Sequence, residues 1–380
     1  MAFILSVLRE TRQGEKRVAL APSVASRLKP LGADVRIETG AGAAATFSDA
    51  TLADCRIEDD QQTLLGNADI VLAVQPPSVK AVTLMKPGAV LISFIYGETS
   101  PDLVRTLRDG KITSFAMEQI PRISRAQAMD ALSSQAALAG YYALLLGAVH
   151  MPRILPMMTT AVGSLRAAKV LVLGLGVAGL QALATAHRLG AITEGYDVRP
   201  ETKEQALSLG AKFVETGVDA RGEGGYAREL TAEEKAKAQT ALDKHIVEAD
   251  MIITTASVPG RPAPKLITAA QIAAMKPGAV IVDLGAEGGG NCEGTRPGET
   301  VTAGPATILA PLNVPSMLAQ HASELYAKNL FHFVQLIVKD GAVHLDFDDE
   351  IVAGTVLTHD GVIRNAAARM AAEATEEKVA

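Results

Sequence analysis

The sequence predicts an α/β protein: two Rossmann-like, doubly wound parallel-sheet lobes joined by two long helices. Three observations predict it. First, Lys169-Val170-Leu171-Val172-Leu173 runs straight into Gly174-Leu175-Gly176-Val177-Ala178-Gly179, a buried strand followed by G-x-G-x-x-G and a helix start. Second, short apolar runs alternate with helix-like segments through the first third, which implies a mostly parallel sheet. Third, the chain echoes itself. Met85-Lys86-Pro87-Gly88 ahead of an apolar run returns as Met275-Lys276-Pro277-Gly278, and Asn67-Ala68-Asp69 returns as Glu248-Ala249-Asp250. We read lobes at 1–132 plus 320–380 and at 133–319. Only the second carries the glycine fingerprint, because Leu8-Arg9-Glu10-Thr11 follows the first strand. The second lobe then binds a dinucleotide and the first closes over it. The competing explanation of the echo is that Pro-Gly is a common entrance to a buried strand.

The elements follow in order. Phe3 to Leu8 reads as a strand, Pro22 opens a helix to about Leu31, and Ala33 to Ile37 is a second strand. Ala68 to Val74, Ala89 to Ile95 and Ile112 to Met117 are further strand candidates. Pro121 to Gln135 is a polar stretch, and Ala131 to Val149 is a long helix, apolar on most faces and so expected to be buried. A polar stretch at a lobe junction is a common place for a ligand. Its arginines suit phosphate and Gln127 suits a carboxamide. The alternative, a capped helix start with solvated arginines, stands beside it.

In the second lobe, Val177 to Leu189 is a helix ending at Gly190, and Ile192 to Tyr196 is the next strand. Gly174 allows the tight turn, Gly176 lets backbone approach a pyrophosphate, and Gly179 lets helix pack close to strand. The helix N-terminus supplies N–H groups for the phosphates. Asp197 stands at roughly the 20-residue offset of a ribose-binding carboxylate. That carboxylate favours NAD over NADP. Arg199, two residues on, weakens the preference unless it is only a surface arginine. An ordinary α/β turn with Asp197 capping locally is the plainer alternative. Glu215 to Leu230, with Gly225 and Tyr226, reads as a polar, glycine-rich surface loop. Thr254 to Gly260 follows a strand and lines the carboxyl edge of the sheet, where such folds bind ligands. Val282 to Asn291 ends another strand in glycines, with Glu287 either functional or a turn cap. Ser316 to Val338 is a second long helix. Asp340 to Ile363 reads as short strands with Asp-Gly turns, and Ala366 to Ala380 as an Ala/Glu-rich tail, helical or frayed.

The 380 residues are 48% hydrophobic and 21% charged, which suits two or three folded domains, and the net charge of −6 argues against a nucleic-acid surface. Cys55 and Cys292 form no redox or metal pattern, and the seven histidines are scattered, so no metal site is expected. The longest uncharged apolar run, Ala136 to Val149, falls short of the ~20 residues that span a bilayer, so a soluble chain is expected.

Four stretches carry a family resemblance: PRISRAQAMDALSSQ at Pro121, GLGVAGLQALATAHRLGA at Gly174, YDVRPETKEQ at Tyr196 and GGYAREL at Gly224. Together with the rest of the chain they resemble the NAD(H)-binding component, domain I, of proton-translocating nicotinamide nucleotide transhydrogenase. A chain ending where this one does looks like the separate soluble subunit of the three-subunit form. The resemblance implies a homodimer, cytoplasmic and peripheral on the inner membrane through partner subunits. Those partners include a domain III that carries NADP(H). Hydride would pass directly from NADH to NADP+, coupled to proton flow. It also implies site residues. Arg122, Gln127 and Asp130 would act at the nicotinamide, with Ile123, Ser124, Arg125 and Ser133 in the same stretch. Gly174, Leu175, Gly176, Val177 and Gly179 would hold the pyrophosphate, and Asp197, Val198 and Arg199 the adenosine ribose. Gly225 and Tyr226 match the mobile loop, and Gln239 and Ser257 match further cofactor contacts. The chain departs from the family at Phe94, where a histidine is expected, and in a shorter glycine-rich loop. The rival reading is an alanine dehydrogenase, whose substrate arginine resembles Arg17. That family's catalytic lysine and histidine positions hold Gln75 and Phe94. A non-catalytic NAD-binding protein is a third reading.

Overall fold

A computed structural model describes residues 3–221, 228–257 and 262–376. The chain divides into two compact units, Met1–Gln135 with Ser316–Ala380, and Ala136–Pro315. In chain order the first unit begins with β1 (Phe3–Val7), α1 (Pro22–Leu28), β2 (Ala33–Glu38), β3 (Arg56–Glu58), α2 (Gln61–Gly66) and β4 (Ile70–Leu72). It continues through α3 (Val79–Thr83), β5 (Val90–Ser93), α4 (Pro101–Asp109) and β6 (Thr113–Ala116) to α5 (Ala131–His150), inside which the second unit begins. The second unit holds β7 (Met158–Thr160), β8 (Gly163–Leu165), β9 (Lys169–Leu173), α6 (Val177–Arg188), β10 (Ile192–Tyr196), α7 (Thr202–Ser208) and β11 (Lys212–Phe213). It closes with α8 (Ala232–Glu248), β12 (Met251–Thr254), α9 (Ala269–Ala273), β13 (Ala279–Asp283), β14 (Thr300–Ala303) and β15 (Ala306–Leu309). The chain then returns to the first unit with α10 (Ala319–Ile337), β16 (Val338–Lys339), β17 (Ala342–Val343), α11 (Glu350–Thr355), β18 (Val356–His359), β19 (Val362–Ile363) and α12 (Ala366–Glu376).

Each unit is built on one sheet. The first runs β19-β18-β6-β5-β4-β1-β2-β3 and the second β11-β10-β9-β12-β13-β15-β14. From β3 to β6, and from β11 to β15, all neighbours are parallel. In both, the first strand lies between the second and the fourth, so the winding reverses there. Crevices at the carboxyl ends of strands open at such a reversal. Strands covered on both faces explain the unbroken apolar runs. In β9, Val170 and Val172 enter one core while Leu171 and Leu173 enter the other. In the first unit Ile70 and Val71 divide the same way.

Two expectations need correction. The long helix α5 is not buried around its circumference. Gly140, Ala143, Leu144 and Gly147 are buried, while Tyr141, Val149 and His150 are exposed. By length and composition alone α5 could cross a membrane. Its buried face instead packs in the second unit, where Gly140 lies against Ala178 and Gly147 against Met251 and Val282. The stretch 340–363 is not all strand, because Asp349 caps α11 by accepting the Ile351 N–H at 2.8 Å. The hairpin β7–β8 carries no strand signal in the sequence, since every residue in it is exposed and no apolar alternation marks it. The two-residue β11 is too short to show a period.

Candidate functional site: a glycine turn and the carboxylate that braces it

In the second unit the turn after β9 is pinned on both sides. Gly174 takes φ +95, a conformation a side chain would strain, and its N–H donates to the Tyr196 carbonyl at 2.8 Å. Its own carbonyl accepts the Thr255 hydroxyl at 2.8 Å. The next N–H, of Leu175, donates to Asp197 Oδ2 at 2.7 Å. A Cβ on Gly179 would drive into the Gly174 carbonyl, so only glycine lets α6 start this close to β9. Gly176 is the N-cap of α6 with no side-chain cap. The first N–H groups of a helix have no intrahelical acceptor, and the positive end of the helix favours an anion there. Val177, in the first turn, is exposed.

Asp197 follows β10 and is almost fully committed. Oδ1 accepts the Arg199 N–H and Nε, both at 2.9 Å, and Oδ2 accepts Arg199 Nη2 at 2.7 Å beside Leu175. These bonds to Asp197 raise the guanidinium pKa against the cost of burial. Arg199 is therefore not simply a surface arginine: it neutralises the carboxylate that braces the glycine turn. Val198 packs at the edge of the core below.

The other expected residues of this unit lie away from this turn or outside it along the chain. Gln239, on α8, donates to the Gln271 side chain and to the Leu266 carbonyl, so its amide ties α8 to the start of α9. Ser257 is exposed after β12. Gly225 and Tyr226 lie outside the described residues.

In the first unit, Ser124–Met129 forms one stretch of 3-10 helix. Three residues per turn stack every third side chain. Ala126 and Met129 are buried in the core with Ile123 packed beside them, while Ser124, Gln127 and Asp130 fall on the next face. Asp130 caps α5, accepting the Ser133 N–H at 2.9 Å and the Ser133 hydroxyl at 2.6 Å. Arg125 makes a two-pronged pair with Asp349 at 2.6 and 2.9 Å, which lowers the carboxyl pKa of Asp349. Arg125 thus ties this stretch to α11. Arg122 and Gln127 are exposed, and the Gln127 side chain has no hydrogen-bond partner among the described residues. Sequence reasoning missed Asn329 on α10, which donates to the Ala128 carbonyl at 2.9 Å and accepts the Ser134 hydroxyl at 2.7 Å.

The carboxyl edge of this unit's sheet is filled by charge. Arg17, 4% exposed, donates to Glu15 at 2.8 and 2.6 Å and to Gln135 at 2.9 Å. Gln75 donates to the second oxygen of Glu15 at 2.8 Å. Burial would raise the Glu15 carboxyl, yet Arg17 holds it down at about 2. Glu10 accepts the N–H groups of Val74 and Gln75, and burial pushes it up to about 7. Phe94 stacks on Tyr326 with ring centres 5.2 Å apart. The arginine that resembles a substrate clamp therefore already holds an internal carboxylate.

Residues 6–139 match the alanine dehydrogenase/PNT N-terminal domain, and residues 143–366 match the C-terminal domain of the same family. An NAD(P) transhydrogenase subunit alpha chain of Rhodospirillum rubrum is 46% identical over 372 residues, covering 94% of this chain and 97% of the relative. The crystal structure of transhydrogenase from Sinorhizobium meliloti superposes with a TM-score of 0.84 at 40% identity, over 96% of this chain and 99% of that one. An L-alanine dehydrogenase structure shares the fold, with a TM-score of 0.81 at 23% identity over 97% of this chain and 99% of that one. The chain belongs to the alanine dehydrogenase/PNT family, among the homologues of NAD(P) transhydrogenase subunit alpha.

Proposed function

We propose that this chain is the NAD(H)-binding component of a proton-translocating transhydrogenase, giving hydride to NADP+ held on a partner domain III. The observation that carries the reading is the pinned glycine turn, with an uncapped helix N-terminus on one side and Asp197 on the other. These groups fit a dinucleotide. The N–H groups of Gly176 and the first turn of α6 suit the pyrophosphate, and Asp197 suits the ribose diol once Arg199 yields it. We assign Val198 and Ser257 to the neighbourhood of the same cofactor, and Gln239 to support of the α8–α9 junction beneath it. Arg122, Gln127, Asp130 and Ser133 are proposed for the nicotinamide end. When bound, the nicotinamide supplies the hydride chemistry itself. The chain's residues bind and orient, and no proton needs to move through them.

The homodimer and the peripheral attachment to a membrane complex belong to the same proposal. The exposed apolar side chains of Val149, Met157, Met158, Val162 and Leu165 support a second copy packing there. Light scattering of the purified chain tests it.

The deciding experiment mixes the chain with a separately supplied domain III and follows hydride transfer between an NADH analogue and NADP(H). Transfer that needs both components is expected, and none with both present overturns the proposal. In the same assay Gln127→Asn slows transfer far more than it weakens NADH binding, and equal losses count against the assignment of Gln127. Alanine-dependent NADH production is not expected, because Glu15 already occupies the Arg17 fork.

A further inference from the structure

We infer that Asn291 and Thr255 are positioning residues for the pyrophosphate turn, acting as a clip between the glycine loop after β13 and the glycine turn after β9. The inference rests on the NAD(H) reading above and goes beyond it to residues outside the G-x-G-x-x-G fingerprint. Asn291 is fully buried. Its amide bonds both sides of one backbone residue, accepting the Ala256 N–H at 3.1 Å and donating to the Ala256 carbonyl at 2.8 Å. The remaining amide hydrogen donates to the Pro264 carbonyl at 2.8 Å. The side chain thus stands in for a neighbouring strand beside a loop that has none.

Asn291 is itself held by Asp283, fully buried at the end of β13, which accepts the Asn291 N–H at 2.8 Å. Asp283 also accepts the hydroxyls of Thr254 at 2.9 Å and Thr295 at 2.6 Å, and the Gly285 N–H at 2.9 Å. A Cβ on Gly285 would crowd Asn291 Oδ1 to 2.6 Å, so the glycine after β13 makes room for the amide. Next to Ala256 stands Thr255. Its N–H donates to the Leu173 carbonyl at 2.9 Å and its hydroxyl to the Gly174 carbonyl at 2.8 Å. The Gly174–Leu175 peptide is therefore gripped at its oxygen by Thr255 and at its nitrogen by Asp197. A peptide held at both ends fixes the direction of the N–H groups that follow, and direction is what a preorganised anion site needs.

The test titrates the whole chain with NADH by fluorescence, and with ADP and adenosine by displacement of NADH. Asn291→Leu and Thr255→Val are each expected to weaken NADH and ADP by about fivefold, the worth of one hydrogen bond. Adenosine, which has no phosphate, is expected to shift less than about twofold by the same arithmetic. A merely structural role would move all three ligands together. Thr255→Ser keeps the hydroxyl and is expected to restore wild-type binding. The double variant is expected to lose no more than the worse single one, because both act through one loop. ADP binding at wild-type strength in either variant, or an equal loss of adenosine and ADP, overturns the inference. If Asn291→Leu lacks a folded circular-dichroism spectrum, the Thr255→Val and Thr255→Ser pair decides by the same criterion. Failure of the unaltered chain to bind NADH overturns the NAD(H) reading itself.

Discussion

The two units enter their sheets in the same way and leave them differently. At the entrance, Asp69 accepts the Ile4 N–H at 2.7 Å and the Lys86 ammonium at 2.7 Å, and Asp250 accepts the Lys169 N–H at 2.8 Å and the Lys276 ammonium at 2.9 Å. The repeated sequence is one device used twice: an aspartate ahead of the fourth strand of the sheet takes a backbone N–H from the first strand and the lysine that stands ahead of the strand after it. At the carboxyl edge the units part. In one, glycines open a turn and leave the start of α6 without a side-chain cap. In the other, Glu15, Arg17, Gln75 and Gln135 meet one another. Shared architecture locates a crevice, and the residues after the first strand decide whether it is open or filled.

The largest expected effect breaks the filled edge. Arg17→Met leaves Glu15 buried without its partner, and removing one member of a buried pair costs about 3–5 kcal/mol. Urea unfolding of the chain should show that loss, and adding Glu15→Gln should return most of it. A cost under about 1 kcal/mol, the range of exposed pairs, would mean that the charges do not hold this edge closed. Next is the open edge. Gly179→Val forces a side chain against the Gly174 carbonyl and should destabilise the second unit by about 2–3 kcal/mol. It should also weaken NADH binding by about a hundredfold, which equilibrium titration measures. Wild-type affinity would show that the close approach of α6 to β9 is not what makes the crevice a cradle.

A smaller effect sharpens the comparison. Asp197→Ala removes both the acceptor for Leu175 and the proposed ribose partner, at the cost of roughly one charged hydrogen bond, about tenfold in NADH affinity. Unlike Thr255→Val, it should weaken adenosine as well as ADP, with the larger loss for ADP because the Leu175 acceptor goes too. A loss confined to ADP would make Asp197 a brace for the turn alone.

What could be read in advance follows from covalent spacing. Gly174 and Asp197 end neighbouring strands joined by one helix, so their separation along the chain constrains their meeting in space. The alternation of strand and helix was legible for the same reason. Asn291 was not, because its partners are backbone groups, which carry no sequence signature, and three glycines before it read only as a turn. The pairing of Arg125 was hidden because Asp349 lies more than two hundred residues away. The 3-10 stretch at Ser124–Met129 escaped because a period of three is neither the helical nor the strand period sought. The helix α5 was expected to be buried because composition reports that a helix is apolar, not which of its faces is covered.

The smallest expected effect lies within the filled edge and is read through pH. Burial holds Glu10 at about 7, above its ordinary value of 4.5, while Arg17 holds Glu15 at about 2. The signs are opposite. Glu10 keeps its proton longer in the folded chain than in the unfolded one, so its contribution is complete below pH 4.5 and is lost as pH rises toward 7. Glu15 does the reverse: its contribution is present above 4.5 and is lost as pH falls toward 2. Glu118, whose carboxyl is also raised by burial, adds to the loss on the alkaline side. Glu10→Gln keeps an oxygen for the Val74 and Gln75 N–H groups but cannot ionise. The variant should therefore gain on the wild type between pH 5 and 8, by on the order of 1 kcal/mol after allowance for partial exposure. Its acid limb, which belongs to Glu15, should stay where it was. Stability measured by urea unfolding across this range checks both limbs, and a variant that falls in parallel with the wild type between pH 5 and 7 would place the titrating group elsewhere.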